Sequence, residues 1–163
     1  MSKKRILVVG GGASGLMAAG QAAQLGSQVI LLEKMSAPGR KLLLTGKNRC
    51  NLTNTDSVQE FLRHFNPQGK FLTQLFYQYF NRELRAFFAE LGVPTTVQRG
   101  GRVFPTSERA QDVVDALVRW AQVQGVEFRT QTAVKRLLLD EKRVIGVSTP
   151  QDEIYGEAVI IAT

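Results

Sequence analysis

The feature that most constrains this chain is a run of six residues, Gly10-Gly11-Gly12-Ala13-Ser14-Gly15, set between an apolar stretch and an Ala-rich one. Ile6-Leu7-Val8-Val9, just before it, reads as a short parallel strand buried on both faces. Ser14 to Leu25, just after it, reads as a helix stopped by Gly26. Gln28 to Leu32 is a second buried strand, ending at Glu33. Two strands joined by a helix at this spacing make a βαβ unit. Within it Gly10 permits the tight turn, Gly12 lets a pyrophosphate approach the backbone, and Gly15 lets the helix pack closely on the strand. The unpaired N–H groups and positive dipole end of the helix suit an anion there. Glu33 stands 18 residues after Gly15, where a carboxylate accepts hydrogen bonds from ribose hydroxyls. A plain glycine turn with a solvated Glu33 is the competing reading. The coincidence of both strands, the helix and the acid favours a dinucleotide site.

Composition narrows the chemistry. With 163 residues, 44% hydrophobic and 21% charged, the chain has the make-up of an ordinary soluble globular protein. A single cysteine, Cys50, excludes an internal disulfide and any multi-cysteine zinc or iron–sulfur site. A single histidine, His64, argues against His-based metal sites and a Ser/His/Asp hydrolase. The net charge of +7 raises nucleic acid as a partner, but its placement argues otherwise. Residues 1–54 carry eight of the 21 Lys/Arg and one of the 14 acids, Glu33, leaving thirteen of each in residues 55–163. The whole excess thus lies beside the glycine-rich run, which suits a small phosphorylated ligand better than a nucleic acid. Lys3-Lys4-Arg5 and the apolar run after it resemble a signal peptide, but Gly10-Gly11-Gly12 and Ser14 break that run. No stretch is long and apolar enough to span a membrane, and the expected location is the cytoplasm.

Beyond Glu33, residues 35–54 turn polar and loop-like, with Pro38, Gly39 and Gly46 as punctuation. Seven of the nine phenylalanines and two of the three tyrosines lie between Phe61 and Phe88. They suit the core of a helical layer better than an aromatic substrate pocket. Asn81 is the expected cap of a helix bearing Leu84, Phe87, Phe88 and Leu91, ended by Gly92 and Pro94. Ser107 is the expected cap of another, with the stripe Ala110, Val113, Val114, Leu117, Val118 and Ala121, ended by Gly125. Val126–Arg129 reads as a third strand of the sheet. Three β-type runs follow, Val134–Leu139, Val144–Ser148 and Glu157–Ala162, the first two joined by a turn at residues 140–143.

An NAD domain would continue after Glu33 with another plain helix–strand unit. Here residues 39–54 read GRKLLLTGKNRCNLTN instead, which favours FAD. On VVGGGASGLMAA, LLEK, GRKLLLTG, RCNLTN, GRVFPTSERAQDVVDAL and VIIAT, the chain resembles a family of bacterial NAD(P)/FAD-dependent oxidoreductases, also described as aminoacetone-oxidase-like. RCNLTN and GRVFP are its most specific parts, and the likeness spans essentially the whole chain. The family belongs to the glutathione-reductase-type FAD superfamily, and some members reduce unsaturated bile-acid intermediates.

The resemblance implies an α/β fold: a truncated, three-layer, Rossmann-like FAD/NAD(P)-binding domain with a parallel sheet plus a β-meander. Residues 1–163 would be the N-terminal part of one such domain. Residues 1–54 would form the dinucleotide-binding unit and flavin loop, 55–106 a helical aromatic-rich segment, and 107–163 a helix, third strand and meander. It further implies that Gly10, Gly12, Ala13, Ser14 and Gly15 cradle the FAD pyrophosphate. Glu33 would bind the adenosine ribose, with Lys34 beside it, and Arg40 and Lys41 would lie along the phosphate or ribityl region. Cys50-Asn51-Leu52 resembles the segment that approaches the flavin, and the Val134 backbone would meet the adenine. Ala162-Thr163 begins an Ala-Thr-Gly motif that also contacts FAD.

The implied function is a flavin-dependent oxidoreductase passing hydride from NAD(P)H through FAD to a small organic acceptor. A flavin-dependent amine-type oxidase using oxygen is the alternative enzyme. A non-catalytic nucleotide- or RNA-binding module is the alternative from another class. The sequence singles out no catalytic acid or base. Cys50 reads as a packed or backbone-contact residue rather than a redox thiol, and His64 as a surface or capping residue. Arg99, Arg102 and Arg109 read as solvated positions rather than phosphate ligands. Because the last residues, VIIAT, are an apolar strand, the chain reads as an N-terminal fragment. Alone it is expected to hold FAD weakly or not at all, to be inactive, and to aggregate readily.

Overall fold

Arg5–Val9 (β1) and Gln28–Leu32 (β2) pair in parallel, from Arg5 opposite Gln28 to Val9 opposite Leu32. The computed structural model describes residues 3–65 and 67–163. Between β1 and β2 runs α1 (Ala13–Gln24), and after them come α2 (Arg40–Leu44), β3 (Thr53–Asn54) and α3 (Val58–Arg63). A 3-10 turn (Pro67–Leu72), α4 (Thr73–Gln78), α5 (Asn81–Glu90), β4 (Thr95–Gln98) and β5 (Arg102–Pro105) follow. Next are α6 (Ala110–Val123), β6 (Glu127–Arg129), β7 (Arg136–Asp140), β8 (Arg143–Ser148), β9 (Glu153–Tyr155) and β10 (Ala158–Ile161). They fall into two compact units, residues 1–42 with 117–163, and residues 43–116.

The first unit is an α/β Rossmann domain built on a parallel sheet of order β10-β1-β2-β6. Strand alternation sends Leu7, Val9, Ile30 and Leu32 to one face, where they form a core with Val147 and Ile154 of the antiparallel sheet β7-β8-β9. Val8, Val29 and Leu31, equally buried, point to the other face. That is the side of α1, whose Leu16, Ala19 and Ala23 are buried. Burying each such aliphatic side chain is worth about 1.5–3 kcal/mol, so neither face of the central strands tolerates a polar residue. This is why RILVV and QVILL carry nearly continuous apolar runs. Gly20 seats α1 against the ring of Trp120, which a Cβ there would strike.

One expectation needs correction in this unit. Glu157–Ala162 does not complete the meander. Its strand, β10, joins the parallel sheet beside β1, with Ile6 opposite Ala158 and Val9 opposite Ile161. The third meander strand is β9, which at three residues is too short to show a period. Val126–Arg129 does supply the third parallel strand, β6, paired with β2.

The second unit holds the antiparallel sheet β3-β5-β4 and helices α3, α4 and α5. Asn81 is not the cap of α5. The Phe80 N–H is taken by Glu83 at 3.1 Å, while the Asn81 amide donates to the carbonyls of Asn54 and Asp56. Nor does Ser107 cap α6, which begins at Ala110, whose N–H goes to the Asn48 carbonyl. The aromatic segment is a packed cluster rather than a closed core. Phe61, Phe65, Phe76 and Phe80 pack edge-to-face or tilted, with centroids 5.0–5.9 Å apart. Yet Phe71 and Tyr77 are 75% and 62% exposed, and only Phe88 of the α5 stripe is fully buried.

Candidate functional site

The site in the first unit is assembled where β1, β2 and β10 all end. Gly10 takes φ +107°, in the left-handed region, and a Cβ there would stand 2.5 Å from the Ala162 carbonyl oxygen. Only glycine fits, because Ala162 is itself drawn in by its N–H bond to Val9 O at 2.8 Å. A Cβ on Gly15 would strike the Gly10 carbonyl, so the helix sits directly on the turn. Gly12 differs. Its backbone is ordinary, at φ −78°, and a Cβ there would meet nothing within 4 Å. The space above Gly12 is therefore open, next to an α1 N-terminus that has no side-chain cap and no acidic residue in its first turn. Ala13 and Ser14 are exposed beside it. Unpaired N–H groups, a helix dipole and open space over a glycine form an anion cradle.

Glu33 closes one side of this cradle. Its Oε2 accepts the Gly11 N–H at 2.7 Å and its Oε1 the Met35 N–H at 2.8 Å. Each carboxylate oxygen keeps a further lone pair for an incoming hydroxyl. Gly11 is wedged behind it. A Cβ there would lie 2.9 Å from both Glu33 Oε2 and Pro38 Cβ, and the Gly11 carbonyl accepts the Gly39 N–H at 2.7 Å. Gly11, Met35, Pro38 and Gly39 are thus parts of the site that the glycine pattern alone did not name. Their signal is only the first x of G-x-G being a glycine. Lys34 is exposed beside Glu33, and Arg40 and Lys41 open α2 just after Gly39, both exposed. Thr163 adjoins Gly10 with Ala162. Val134 packs its side chain against the meander core, on the segment whose Thr132 N–H bonds Glu33 O.

Cys50, Asn51 and Leu52 belong to the second unit, where the two most specific sequence stretches meet. Thr53 and Asn54 pair with Val103 and Arg102 as strands. Leu52 N–H bonds Val103 O at 2.8 Å, and the Asn51 amide NH2 donates to the carbonyls of Thr53 and Val103. Ahead of them, Lys47, Asn48 and Cys50 have φ of +57°, +66° and +61°. A left-handed residue costs on the order of 1–2 kcal/mol, less for Asn. Cys50 is 1% exposed, and burial pushes its thiol pKa up against the opposing pull of its Thr45 hydrogen bond. It has no partner cysteine. His64 is exposed at the C-terminal cap position of α3, Arg99 and Arg102 are exposed, and Arg109 pairs with Asp112 at 3.5 Å. Among the described residues no group of three or more His, Cys, Asp or Glu is arranged to hold a metal ion. No helix among them is long and apolar enough to cross a membrane.

A family model described as the HI0933-like protein Rossmann domain matches residues 4–163. The chain is 36% identical over 156 residues to a 3-dehydro-bile acid delta(4,6)-reductase of Clostridium scindens, covering 92% of this chain and 37% of that protein. It is 29% identical over 160 residues to a ribosomal RNA dihydrouridine synthase of Haemophilus influenzae, covering 96% and 39%. The chain thus spans well under half the length of either relative. Among solved structures, a 3-ketosteroid-delta4-(5alpha)-dehydrogenase of Rhodococcus jostii superposes with a TM-score of 0.72 at 19% identity, over 99% of this chain and 46% of that one. A flavocytochrome c3 fumarate reductase superposes equally, at 0.72 and 23% identity, over 99% and 34%. At those identities the likeness establishes the fold.

Proposed function

The chain belongs to the HI0933-like Rossmann-domain family, and on that premise we propose that it is the cofactor-holding part of an FAD-dependent oxidoreductase. The observation that carries this reading is the open space over Gly12 at an uncapped helix N-terminus, with Glu33 fastened at its rim. There Gly10, Gly12, Ala13, Ser14 and Gly15 hold the pyrophosphate, and Glu33 accepts from the adenosine ribose. Lys34, Arg40 and Lys41 supply positive charge along the phosphate and ribityl chain. The Val134 backbone meets the adenine, and Ala162, Thr163 and the Cys50–Leu52 segment serve the rest of the cofactor. FAD, when bound, supplies the two-electron carriage that takes hydride from NAD(P)H and delivers it to the acceptor.

The acceptor we propose is a carbon–carbon double bond conjugated to a carbonyl group. The names of the two relatives support this class. A 3-oxo steroid with 4,6 unsaturation and a uracil ring both present such a bond, and saturating either takes one hydride and one proton. The test adds NADH or NADPH, without air, to a preparation loaded with FAD, and then a 3-oxo-4-ene steroid or a uridine-containing RNA. Bleaching of the flavin band by nicotinamide and its recovery on one of the acceptors support the proposal. Recovery only on admitting oxygen supports the oxidase reading, and a protein that retains RNA but no flavin supports the binding module.

A further inference from the structure

We propose that Arg49 is the positioning residue of the Cys50–Leu52 segment, a clamp that locks its left-handed approach turn and so fixes what the segment presents. The turn runs through Gly46, Lys47, Asn48 and Cys50 with φ from +56° to +66°, a region that non-glycine residues leave when nothing holds them. Arg49 engages on every side. Its Nε donates back to the Gly46 carbonyl at 3.3 Å, and one Nη donates to Gln98 Oε1 at 3.2 Å and Glu108 Oε1 at 3.1 Å. Gln98 closes the triangle by donating to Glu108 at 2.6 Å. The guanidinium lies 4.4 Å from the ring centroid of Phe104, itself only 1% exposed. A planar fork can meet a carbonyl, an amide, a carboxylate and an aromatic face together, whereas a lysine ammonium cannot. The clamp also joins the RCNLTN and GRVFP stretches in space, since Arg49 of the first lies on Phe104 of the second.

What the segment is presented to, a flavin, rests on the function proposed above, but the clamp is measurable without any cofactor. Cys50 is the only cysteine in the sequence and is buried in the turn, so the rate at which an aromatic disulfide reagent labels it reports the turn's opening. Arg49→Leu and Arg49→Lys should each raise that rate by about tenfold or more under native conditions. Arg102→Ala is the control. Its exposed guanidinium lies 5.9 Å from the same ring, and its removal should leave the rate unchanged. Because Arg49→Lys keeps the charge and the stem, it decides the matter if Arg49→Leu fails to fold. A rate in Arg49→Lys within about twofold of the parent overturns the clamp. With FAD added, Arg49→Lys should keep flavin occupancy but alter the visible circular dichroism of the bound flavin. An unaltered spectrum in a variant whose Cys50 has loosened overturns the presentation to flavin. A parent chain that takes up no FAD overturns the proposed function and that presentation, and leaves the labelling result standing.

Discussion

Glu33 accepts one backbone N–H at each carboxylate oxygen, from Gly11 and from Met35. Its position is therefore set before any ligand arrives, and a ribose would meet an acceptor already aimed. Hydrogen bonds to a charged group are worth about 1.5–3 kcal/mol each, so Glu33→Ala should weaken FAD binding by at least about tenfold. Glu33→Gln retains one acceptor oxygen but turns an amide NH2 toward one of the two N–H donors, so it should fall between Ala and the parent. Titration of the variants with FAD checks this, and parent-like affinity in both would show that the ribose lies elsewhere. At this scale the glycines were legible in the sequence, because a tight turn and a close helix seat each admit one residue type. Gly10 and Gly15 meet those demands against Ala162 and against each other. Gly11 was not legible. Its need arises from Glu33 and Pro38, brought to it only by folding.

Like Glu33, the carboxylates of Glu60, Glu83 and Glu157 are fastened to backbone N–H groups at the ends of elements. Glu60 is held below the ordinary glutamate range first by the Ser57 hydroxyl and then by the Ser57 N–H, closing a capping box on α3. Glu83 is held down by its own N–H and that of Phe80, and Glu157 by the Arg5 N–H at the start of β1. In each the folded pKa lies below the unfolded one. The stabilisation is thus present above the unfolded value and is lost as pH falls through the folded one. The amide resonances of Ser57, Phe80 and Arg5 should accordingly shift together as the solution is acidified below about pH 4.5, and in Glu60→Gln the Ser57 shift should vanish. A Ser57 amide that titrates unchanged in Glu60→Gln would refute the cap. Elements with strong periodicity were readable: Gln28–Leu32 coincides with β2, and the α6 stripe is buried at Ala110, Val113, Val114, Leu117 and Ala121. Caps were not. Asn81 and Ser107 have capping chemistry, but the direction in which the chain enters the helix decides which group reaches the first amides. The β4–β5 hairpin was not legible either, since three of the four residues Thr95–Gln98 are polar. Its Gly100-Gly101 turn, with φ of +76° and +70°, was the available signal.

At the scale of the molecule, one Rossmann unit carries the glycine turn, Glu33, Lys34, Arg40, Lys41, Val134 and Ala162-Thr163 within its own residues. Most of the positive excess of residues 1–54 lies in this unit too, with Lys3, Lys4, Arg5, Lys34, Arg40 and Lys41 against Glu33, whereas Lys47 and Arg49 belong to the second unit. The topology that assembles the site was only half legible. That β10 returns to lie beside β1 depends on a parallel pairing across some 150 residues, which no local pattern encodes. With the glycine turn, Glu33 and Ala162-Thr163 gathered in this one unit, the binding expected of this chain is weak but saturable. The central claim is that the space over Gly12 receives the pyrophosphate, and Gly12→Val addresses it most directly. Its backbone conformation suits any residue, and a Cβ there touches no protein atom within 4 Å. The variant should therefore keep the far-ultraviolet circular dichroism and melting curve of the parent. Both proteins would be titrated with FAD while flavin fluorescence is followed. Saturable binding by the parent and none by an intact Gly12→Val is the expected result, whereas equal binding by the two would place the cofactor elsewhere and contradict the account.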